Sequence, residues 1–203
     1  MTEKLRGDLS DSTDPRVART RDALFAAVHR LAAQGSTEFG VSDIAREAGV
    51  SRSSFYSHFA SLQDLAAQLQ KRAFEDIAAR ERSERGSPDS MRASQERLVA
   101  HYAENRILYA TVLALPLSHE AHTSAATTMA TLIEERLAET DIPAGVVPAL
   151  ASTYIANAAI GLLIAWVRGD VTATSPEIVD HLLALMPTWL RDDATPPTRE
   201  PLG

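Results

Sequence analysis

One short segment, RSSFYSH, combines guanidinium, hydroxyl and imidazole groups on a stretch too polar to be a buried helix. Arg52 opens it, and an Arg at the N-terminal end of a helix can make two hydrogen bonds to guanine in the DNA major groove. Ser53, Ser54 and Tyr56 can donate to phosphate oxygens, which position a protein without reading sequence. Ser42 lies near the start of the preceding predicted helix, whose N-terminal dipole favours a phosphate. The segment therefore predicts contacts with double-stranded DNA.

Two short helices must position these groups. Ile44, Ala45 and Ala48 recur at helical spacing and predict an apolar stripe on the first helix. Gly49 follows directly and is the typical left-handed C-cap, because it has no Cβ to clash in that conformation. Ser51 is placed to N-cap the second helix. Two helices joined by a turn of about three or four residues indicate a helix-turn-helix, whose second helix enters the major groove.

The run DIAREAGVSRSSFYSHF resembles the DNA-binding domain of the TetR family of transcriptional regulators, and the likeness extends from about Val17 to Leu69. The resemblance implies that residues such as Arg52, Ser53 and Tyr56 meet bases or phosphates and that His58 contacts the DNA backbone. Beyond Leu69 it is a resemblance of architecture. The predicted DNA-binding residues are Ser42, Arg52, Ser53, Ser54, Tyr56, Ser57 and His58.

Two positions depart from the family pattern. Gly40 precedes the first motif helix, where the family often has Thr. Leu62 stands where the family often has a phosphate-binding Lys after the closing aromatic residue. The second departure removes one cation from the expected DNA-binding surface, so it bears on how strongly the phosphate backbone is anchored.

The charge distribution favours a local DNA-binding module. The whole chain has a net charge of −7, but residues 15–60 carry six Arg and four Asp or Glu, a net charge of +2. Phosphate attraction can then act at one end of the protein while the acidic remainder stays away from DNA. The module is only mildly basic, so we expect its affinity to depend on dimerisation.

The composition excludes several other classes of protein. The chain has no cysteine, which rules out disulfides and thiolate metal sites. His119 and His122 are three residues apart, so they do not reproduce the zinc-protease motif, whose histidines are four apart. No nucleophile–base pair or carboxylate dyad stands out. We expect no enzyme activity, no cofactor and no metal, and with neither a signal sequence nor a long apolar span, a cytoplasmic protein.

The pattern of apolar residues is helical throughout. Asp14 and Pro15 form a helix start, and Ser61 with Asp64 resembles a capping box that opens a fourth helix. We predict an all-α fold of about nine helices, with an N-terminal three-helix DNA-binding domain and a C-terminal helical dimerisation and ligand-binding domain. The predicted divisions are a disordered arm (1–13), the helix-turn-helix domain (14–60), a connecting helix (61–86), the C-terminal domain (87–191) and a disordered tail (192–203).

A nearly continuous apolar run from Tyr154 to Val167 implies a helix that is buried on all sides. A central core helix of a monomer would satisfy this pattern, and so would a helix between the core and a second subunit. The family resemblance implies that the last two helices form an intersubunit four-helix bundle. The predicted dimer residues are Gly161, Leu162, Ala165, Trp166, Ile178, Leu182, Leu185 and Met186.

Large or polar residues among Ala and Leu in the middle helices suggest a chamber for an organic ligand, although ordinary core residues give the same pattern. The candidate pocket residues are His101, Tyr102, Tyr109, Met129, Tyr154, Asn157 and Trp166.

Together these patterns predict a ligand-responsive transcriptional regulator. We expect a repressor that binds a palindromic operator as a homodimer and is released by a small hydrophobic or aromatic effector. Two alternatives stay open: a small-molecule-binding or enzymatic helical protein with a vestigial DNA-binding head, and a DNA-binding protein that needs no ligand.

Overall fold

The computed structural model describes residues 15–34, 38–85, 87, 89–114 and 118–191. This part of the chain is built from helices and contains no strand, so the prediction of an all-α fold is confirmed. The predicted arm (1–13) and tail (192–203) lie outside the described residues. So do the side chains of His119 and His122, although their backbone is helical.

Nine α-helices and a final 3-10 turn follow one another along the described residues. They are α1 (Pro15–Ala33), α2 (Val41–Glu47), α3 (Arg52–His58), α4 (Leu62–Glu84), α5 (Ser90–Glu104), α6 (Arg106–Leu113), α7 (Ser118–Leu137), α8 (Pro148–Arg168), α9 (Ser175–Leu185) and the 3-10 turn (Thr188–Leu190).

Local hydrogen bonds explain why several helices begin where they do. At the start of α4, the Ser61 hydroxyl accepts from the backbone N–H of Asp64, and the Asp64 carboxylate accepts from the N–H of Ala60. At the start of α9, Thr174 and Glu177 make the same kind of reciprocal pair. Each pair satisfies backbone donors that have no partner inside the helix.

The first three helices pack around a small aromatic core. Phe55 and Phe59 on and after α3 are almost fully buried, and the ring of Phe59 lies 5.5 Å from that of Phe25 on α1. Leu24 and Ile44 are fully buried in the same cluster. Because this core fixes α3 against α1 and α2, it determines which face of α3 is left for solvent.

Helix α4 contacts both parts of the molecule. Its first turns bury Leu65 and Leu69 beside the aromatic core, and its later turns pack against α5, α6 and α7. Helix α8 packs along α7, and α9 packs along α5. Helix α4 is therefore the element that joins the N-terminal helices to the C-terminal ones. The predicted domain boundaries themselves stay predictions.

A buried polar group, here called the junction cluster, lies where α4, α5 and α6 meet. It consists of Gln70, His101, Tyr102 and Tyr109. The Gln70 amide donates to the Tyr102 hydroxyl, and His101 Nε2 and Tyr109 Oη share a hydrogen bond of 2.6 Å. Buried polar groups must find partners, so the cluster fixes how these three helices meet.

Helix α8 is the one helix in the described ranges that is long and apolar enough to cross a membrane. Core helices of water-soluble proteins have the same length and composition, so this is a weak indication of a membrane. Its most buried residues, Ala156, Ile160 and Leu163, face the other helices of the chain.

Candidate nucleic-acid interface and ligand cavity

The turn between α2 and α3 is held by its own backbone. Gly49 has φ +71°, which a residue with a Cβ would adopt only with strain. The N–H of Val50 donates to the carbonyl of Ala45 at 2.9 Å and closes the end of α2. The Ser51 hydroxyl then accepts from the N–H of Ser54 at 3.0 Å and caps α3. These contacts fix the angle between the two helices, as a helix-turn-helix requires.

Helix α3 has one apolar side and one polar side. Phe55 is completely buried, whereas Arg52, Ser53 and Ser57 are exposed. Tyr56 is 42% exposed, and its ring stands edge-on to that of Phe55. The polar side, here called the α3 face, consists of Arg52, Ser53, Tyr56 and Ser57, which are four of the seven predicted DNA contacts.

Arg52 and Ser42 are brought together although they lie on different helices. The Arg52 guanidinium donates from Nη1 to Ser42 Oγ at 2.7 Å, and both side chains are exposed. This contact holds the guanidinium across the N-terminal ends of α2 and α3. The positive end of a helix dipole favours a phosphate at such a position.

The other predicted DNA contacts are less accessible. Ser54 is half-buried, and Ser57 Oγ already donates to the carbonyl of Ser53 at 3.0 Å. His58 is half-buried, and burial, with the nearby charge of Arg21, lowers its pKa below the ordinary value. His58 is therefore neutral at pH 7, so its imidazole can offer a phosphate a hydrogen bond but no charge.

The two departures from the family pattern have different structural roles. Leu62 is 8% exposed and belongs to the hydrophobic core, so its position serves packing in this chain. Gly40 is the N-cap of α2, and its backbone N–H donates to the Asp43 carboxylate at 3.0 Å. That hydrogen bond is the main reason why the pKa of Asp43 is lowered.

A second candidate site is a cavity of about 330 Å³ in the C-terminal part. Helices α4, α5, α7, α8 and α9 all contribute to its walls, which are mostly aliphatic. Apolar walls include Ile77, Leu98, Leu132 and Ile155. The volume lies at the lower end of the range for small-molecule sites, roughly 300–1,000 Å³.

Four polar or charged residues line this cavity. Glu81 on α4 forms an ion pair with Arg136 on α7, and each of these side chains is about one-tenth exposed. Arg136 also donates from Nη2 to the carbonyl of Leu190 at 3.0 Å. Ser94 and Gln95 on α5 complete the set, and the Ser94 hydroxyl is buried without a hydrogen-bond partner.

Most of the predicted pocket residues lie elsewhere. Met129 lines the cavity, whereas His101, Tyr102 and Tyr109 belong to the junction cluster. Tyr154 is 74% exposed, because it lies on the outer side of α8. The other two predicted residues are also engaged away from the cavity: Asn157 is exposed and donates to the carbonyl of Thr153, and Trp166 is buried and donates to that of Ala173.

Sequence reasoning missed the charged lining residues. Glu81 continues the buried side of α4 at helical spacing from Phe74 and Ile77. A charged residue at a buried position of an apolar helix face indicates a buried ion pair or a polar site, so Glu81 was identifiable from the sequence. Its partner Arg136 lies 55 positions further along the chain, and no local pattern joins the two.

The predicted dimer residues divide into two groups. Trp166, Ile178 and Leu182 are buried within this chain, and Leu162, Leu182, Leu185 and Met186 contribute to the cavity wall. Gly161, Ala165 and Leu185 are more open than the buried group, and they are joined by other exposed residues of α8. We define the outer face as Leu150 (70% exposed), Tyr154, Gly161, Ala165 and Leu185 (77% exposed).

Known proteins share both the motif and the fold. Residues 23–69 match the family described as bacterial regulatory proteins, tetR family. No curated protein sequence matches the chain significantly. Among solved structures, FadR from Thermus thermophilus, a TetR family transcriptional repressor in complex with lauroyl-CoA, is 18% identical. The match covers 90% of this chain and 100% of that chain, with a TM-score of 0.53.

Two further structures are similar to the same extent. The fatty acid degradation regulator FadR from Bacillus halodurans is 17% identical, covering 89% of this chain and 97% of that chain, with a TM-score of 0.53. NalD from Pseudomonas aeruginosa, the secondary repressor of the MexAB-OprM multidrug efflux pump, is 22% identical. Here the match covers 82% of this chain and 94% of that chain, with a TM-score of 0.52. At these identities the likeness is one of fold.

The family match covers the helix-turn-helix, and the structural neighbours share the arrangement of the remaining helices. The match extends from α1 through α3 into the first turns of α4, the segment that builds and presents the α3 face. Residues 23–69 of this chain thus match the tetR family of bacterial regulatory proteins, and the described helices share the fold of solved TetR family regulators.

Proposed function

We propose that this regulator is a homodimeric repressor that binds a palindromic operator and leaves it when a small hydrophobic or aromatic effector binds. The observation that carries the proposal is the α3 face, an exposed polar surface on a helix fixed from behind by Phe55 and Phe59. A helix presented in this way is what entry into the major groove needs. The cavity binds the effector in this proposal and catalyses no reaction.

On the operator, Arg52 reads a base, and the hydroxyls around it position the protein. Its guanidinium is held by Ser42 at 2.7 Å, so less side-chain freedom is lost when it meets a guanine. Ser53, Tyr56 and Ser57 donate to phosphates, and half-buried Ser54 and neutral His58 add contacts at the rim. Residues 14–60 form the DNA-binding domain in this proposal.

A second copy of the chain covers the outer face. Leu150 and Tyr154, one helical turn apart on α8, and Leu185 on α9 are large apolar side chains that are at least 70% exposed, and exposed apolar patches mark interaction sites. Gly161 and Ala165, four residues apart, leave room for a partner helix to approach closely. A two-fold dimer through this face would place two recognition helices about 34 Å apart, as a palindrome requires.

The cavity connects the effector to the DNA. Its walls include Phe74, Ile77 and Ala78 on α4, the helix whose first turns pack on the N-terminal core. They also include Leu162 on α8 and Leu185 on α9, and Leu185 belongs to the outer face. An effector that binds one position of α4 more tightly than another shifts the equilibrium between two spacings of the DNA-binding domains. The size of that shift is set by the difference in affinity.

The test is selection of genomic DNA fragments by the purified protein, followed by sequencing of the retained fragments. We expect a short palindrome enriched near a few promoters. Retention should fall steeply with salt, because each phosphate contact releases counterions. The matched control is Arg52→Lys, which keeps the charge but cannot make the two-pronged contact to guanine.

The result with Arg52→Lys distinguishes recognition of a base from general electrostatic attraction to DNA. Arg52→Lys should retain DNA at low salt and lose the enrichment of one base in each half-site. The proposal fails if the wild-type protein retains random fragments as well as any palindrome, or if retention does not depend on salt.

A further inference from the structure

The cavity walls contain two opposite charges that already neutralise each other. Glu81 is paired with Arg136, and Arg85 Nε lies 3.7 Å from the same carboxylate. Arg136 is held in addition by the carbonyl of Leu190 at 3.0 Å. A ligand with a carboxylate would have to displace Glu81 from Arg136, and a cationic ligand would have to displace Arg136 from Glu81. Either exchange breaks the buried Glu81–Arg136 ion pair, which is unfavourable.

Ser94 is an uncharged polar residue on this wall whose hydroxyl has no hydrogen-bond partner among the described residues. It is 5% exposed, and its hydroxyl makes no hydrogen bond. Hydroxyls on the helices of this protein commonly donate to the carbonyl four residues earlier, as Thr111 and Thr128 do. Ser94 does not, and a buried polar atom without a hydrogen bond is costly. A ligand group in the cavity would remove that cost.

The remaining walls offer almost only apolar surface. Aliphatic and aromatic side chains such as Phe74, Leu98 and Leu132 surround the space. An apolar cavity of roughly 150 Å³ holds a benzene molecule, and this cavity of about 330 Å³ is about twice that size. A flexible chain of moderate length, or a molecule of one or two rings, fits such a space.

We infer that the cavity takes an uncharged, largely apolar molecule whose one polar group hydrogen-bonds to the Ser94 hydroxyl. This inference rests on the proposed function and specifies the chemical class of its effector. It places the apolar body of the ligand against α4, α7 and α8, and it leaves the Glu81–Arg136 ion pair intact.

The experiment compares three probes of one length and different charge: octan-1-ol, octanoate and octylammonium. Binding of each to the full chain is measured by titration calorimetry. We expect octan-1-ol to bind, and octanoate and octylammonium to bind at least about tenfold more weakly, since each breaks the buried ion pair. Ser94→Ala should weaken octan-1-ol binding about 2- to 10-fold, the worth of one hydrogen bond.

The matched control is Ser152→Ala. Ser152 is also buried, but its hydroxyl donates to the carbonyl of Ala149 at 3.2 Å and it does not line the cavity. This variant should bind octan-1-ol as the wild-type protein does. Ala159→Phe, which places a large side chain on the cavity wall, should abolish binding of all three probes. If Ala159→Phe disturbs folding, the comparison of Ser94→Ala with Ser152→Ala still shows whether octan-1-ol binds through Ser94.

Three results would overturn the inference: no binding of octan-1-ol, tighter binding of either charged probe, or an unchanged octan-1-ol affinity in Ser94→Ala. Release from the selected operator is measured in parallel and tests the proposed function separately. If octanoate binds best and releases the operator, the ligand class is wrong and the effector function stands. If octan-1-ol binds through Ser94 and leaves operator affinity unchanged, the ligand class stands and the effector function fails.

Discussion

The N-terminal helices and the C-terminal helices bury their apolar residues in different ways. In the first region, Phe25, Phe55 and Phe59 pack ring against ring, with centroids 5.5–5.7 Å apart, and the side chains behind α3 are almost fully buried. In the second region, five helices surround a cavity of about 330 Å³. Filled cores resist deformation, whereas empty space lets neighbouring helices shift.

This difference matches two different tasks. A DNA-reading surface must keep its shape, and α3 is therefore fixed by a filled core and by caps at both ends of the turn. A region that responds to a ligand must have at least two arrangements of similar free energy. In the proposed function, the cavity between α4 and α8 supplies that freedom, and α4 carries its effect to the filled region.

The largest expected effect is on the filled core. Phe55→Ala should lower the free energy of unfolding by about 3–5 kcal/mol, because it removes a fully buried ring and leaves a cavity. The matched control is the neighbouring Tyr56→Ala, whose ring is 42% exposed and should cost much less stability while still weakening DNA binding. Urea unfolding monitored by circular dichroism measures the free energy of unfolding of both variants. Equal losses of stability would contradict the view that α3 has one packed and one functional side.

The next effect concerns the outer face. Tyr154→Glu places a charge on a side chain that is 74% exposed in the single chain, so the fold should be unaffected. In a dimer that buries this face, the charge should weaken association at least about thirtyfold, or about 2 kcal/mol. Light scattering over a range of concentrations measures the mass. Arg168→Glu, an exposed change at the end of α8, is the control. A dimer that persists in Tyr154→Glu at low concentration would rule out this face.

A smaller effect is expected on the α3 face itself. Arg52→Ala should cost about 1–3 kcal/mol of binding to the selected operator and relax the preference at one base in each half-site. Stability should hardly change, since Arg52 is exposed and its one described partner is Ser42. Fluorescence anisotropy with specific and random duplexes measures the change. The same loss on both duplexes would show that Arg52 attracts DNA without reading it.

The sequence was most informative where structure is determined locally. The capping of α3 by Ser51, the left-handed Gly49 and the burial of Phe55 were all predictable, because each depends on residues within about four positions along a helix. For the same reason, α4 starts at the predicted Ser61–Asp64 pair. The all-α fold and the match of the helix-turn-helix segment to the tetR family followed from these signals.

The cavity was not predictable, because its position depends on how distant helices face one another. Tyr154 and Tyr109 looked equally suitable for a pocket in the sequence. In the structure, Tyr154 lies on the outer side of α8 and Tyr109 is paired with His101. The Glu81–Arg136 pair that lines the cavity joins α4 to α7. Tertiary packing decides all of these contacts.

The smallest effect tests the boundary between the two regions. His101 in the junction cluster has a pKa of about 4, below its ordinary value, first because it is buried and second because His29 on α1 is near. The folded protein thus keeps His101 neutral between about pH 6.5 and 4, while the unfolded chain binds a proton there. The contribution of His101 to the free energy of unfolding is therefore fully present above about pH 6.5, and it is lost as the pH falls from there to about 4.

Because the side chain keeps some exposure, we expect a loss of about 1 kcal/mol between pH 7 and pH 5. His101→Asn should flatten this slope, and His181→Asn, an exposed change on α9, should leave it as it is. Urea unfolding at pH 5, 6 and 7 measures the slope. If the slope is the same in all three proteins, His101 does not link the filled core to the cavity region through a pH-sensitive contact. If it is lost only in His101→Asn, protonation loosens the point where α4, α5 and α6 meet, and operator affinity should fall over the same pH range.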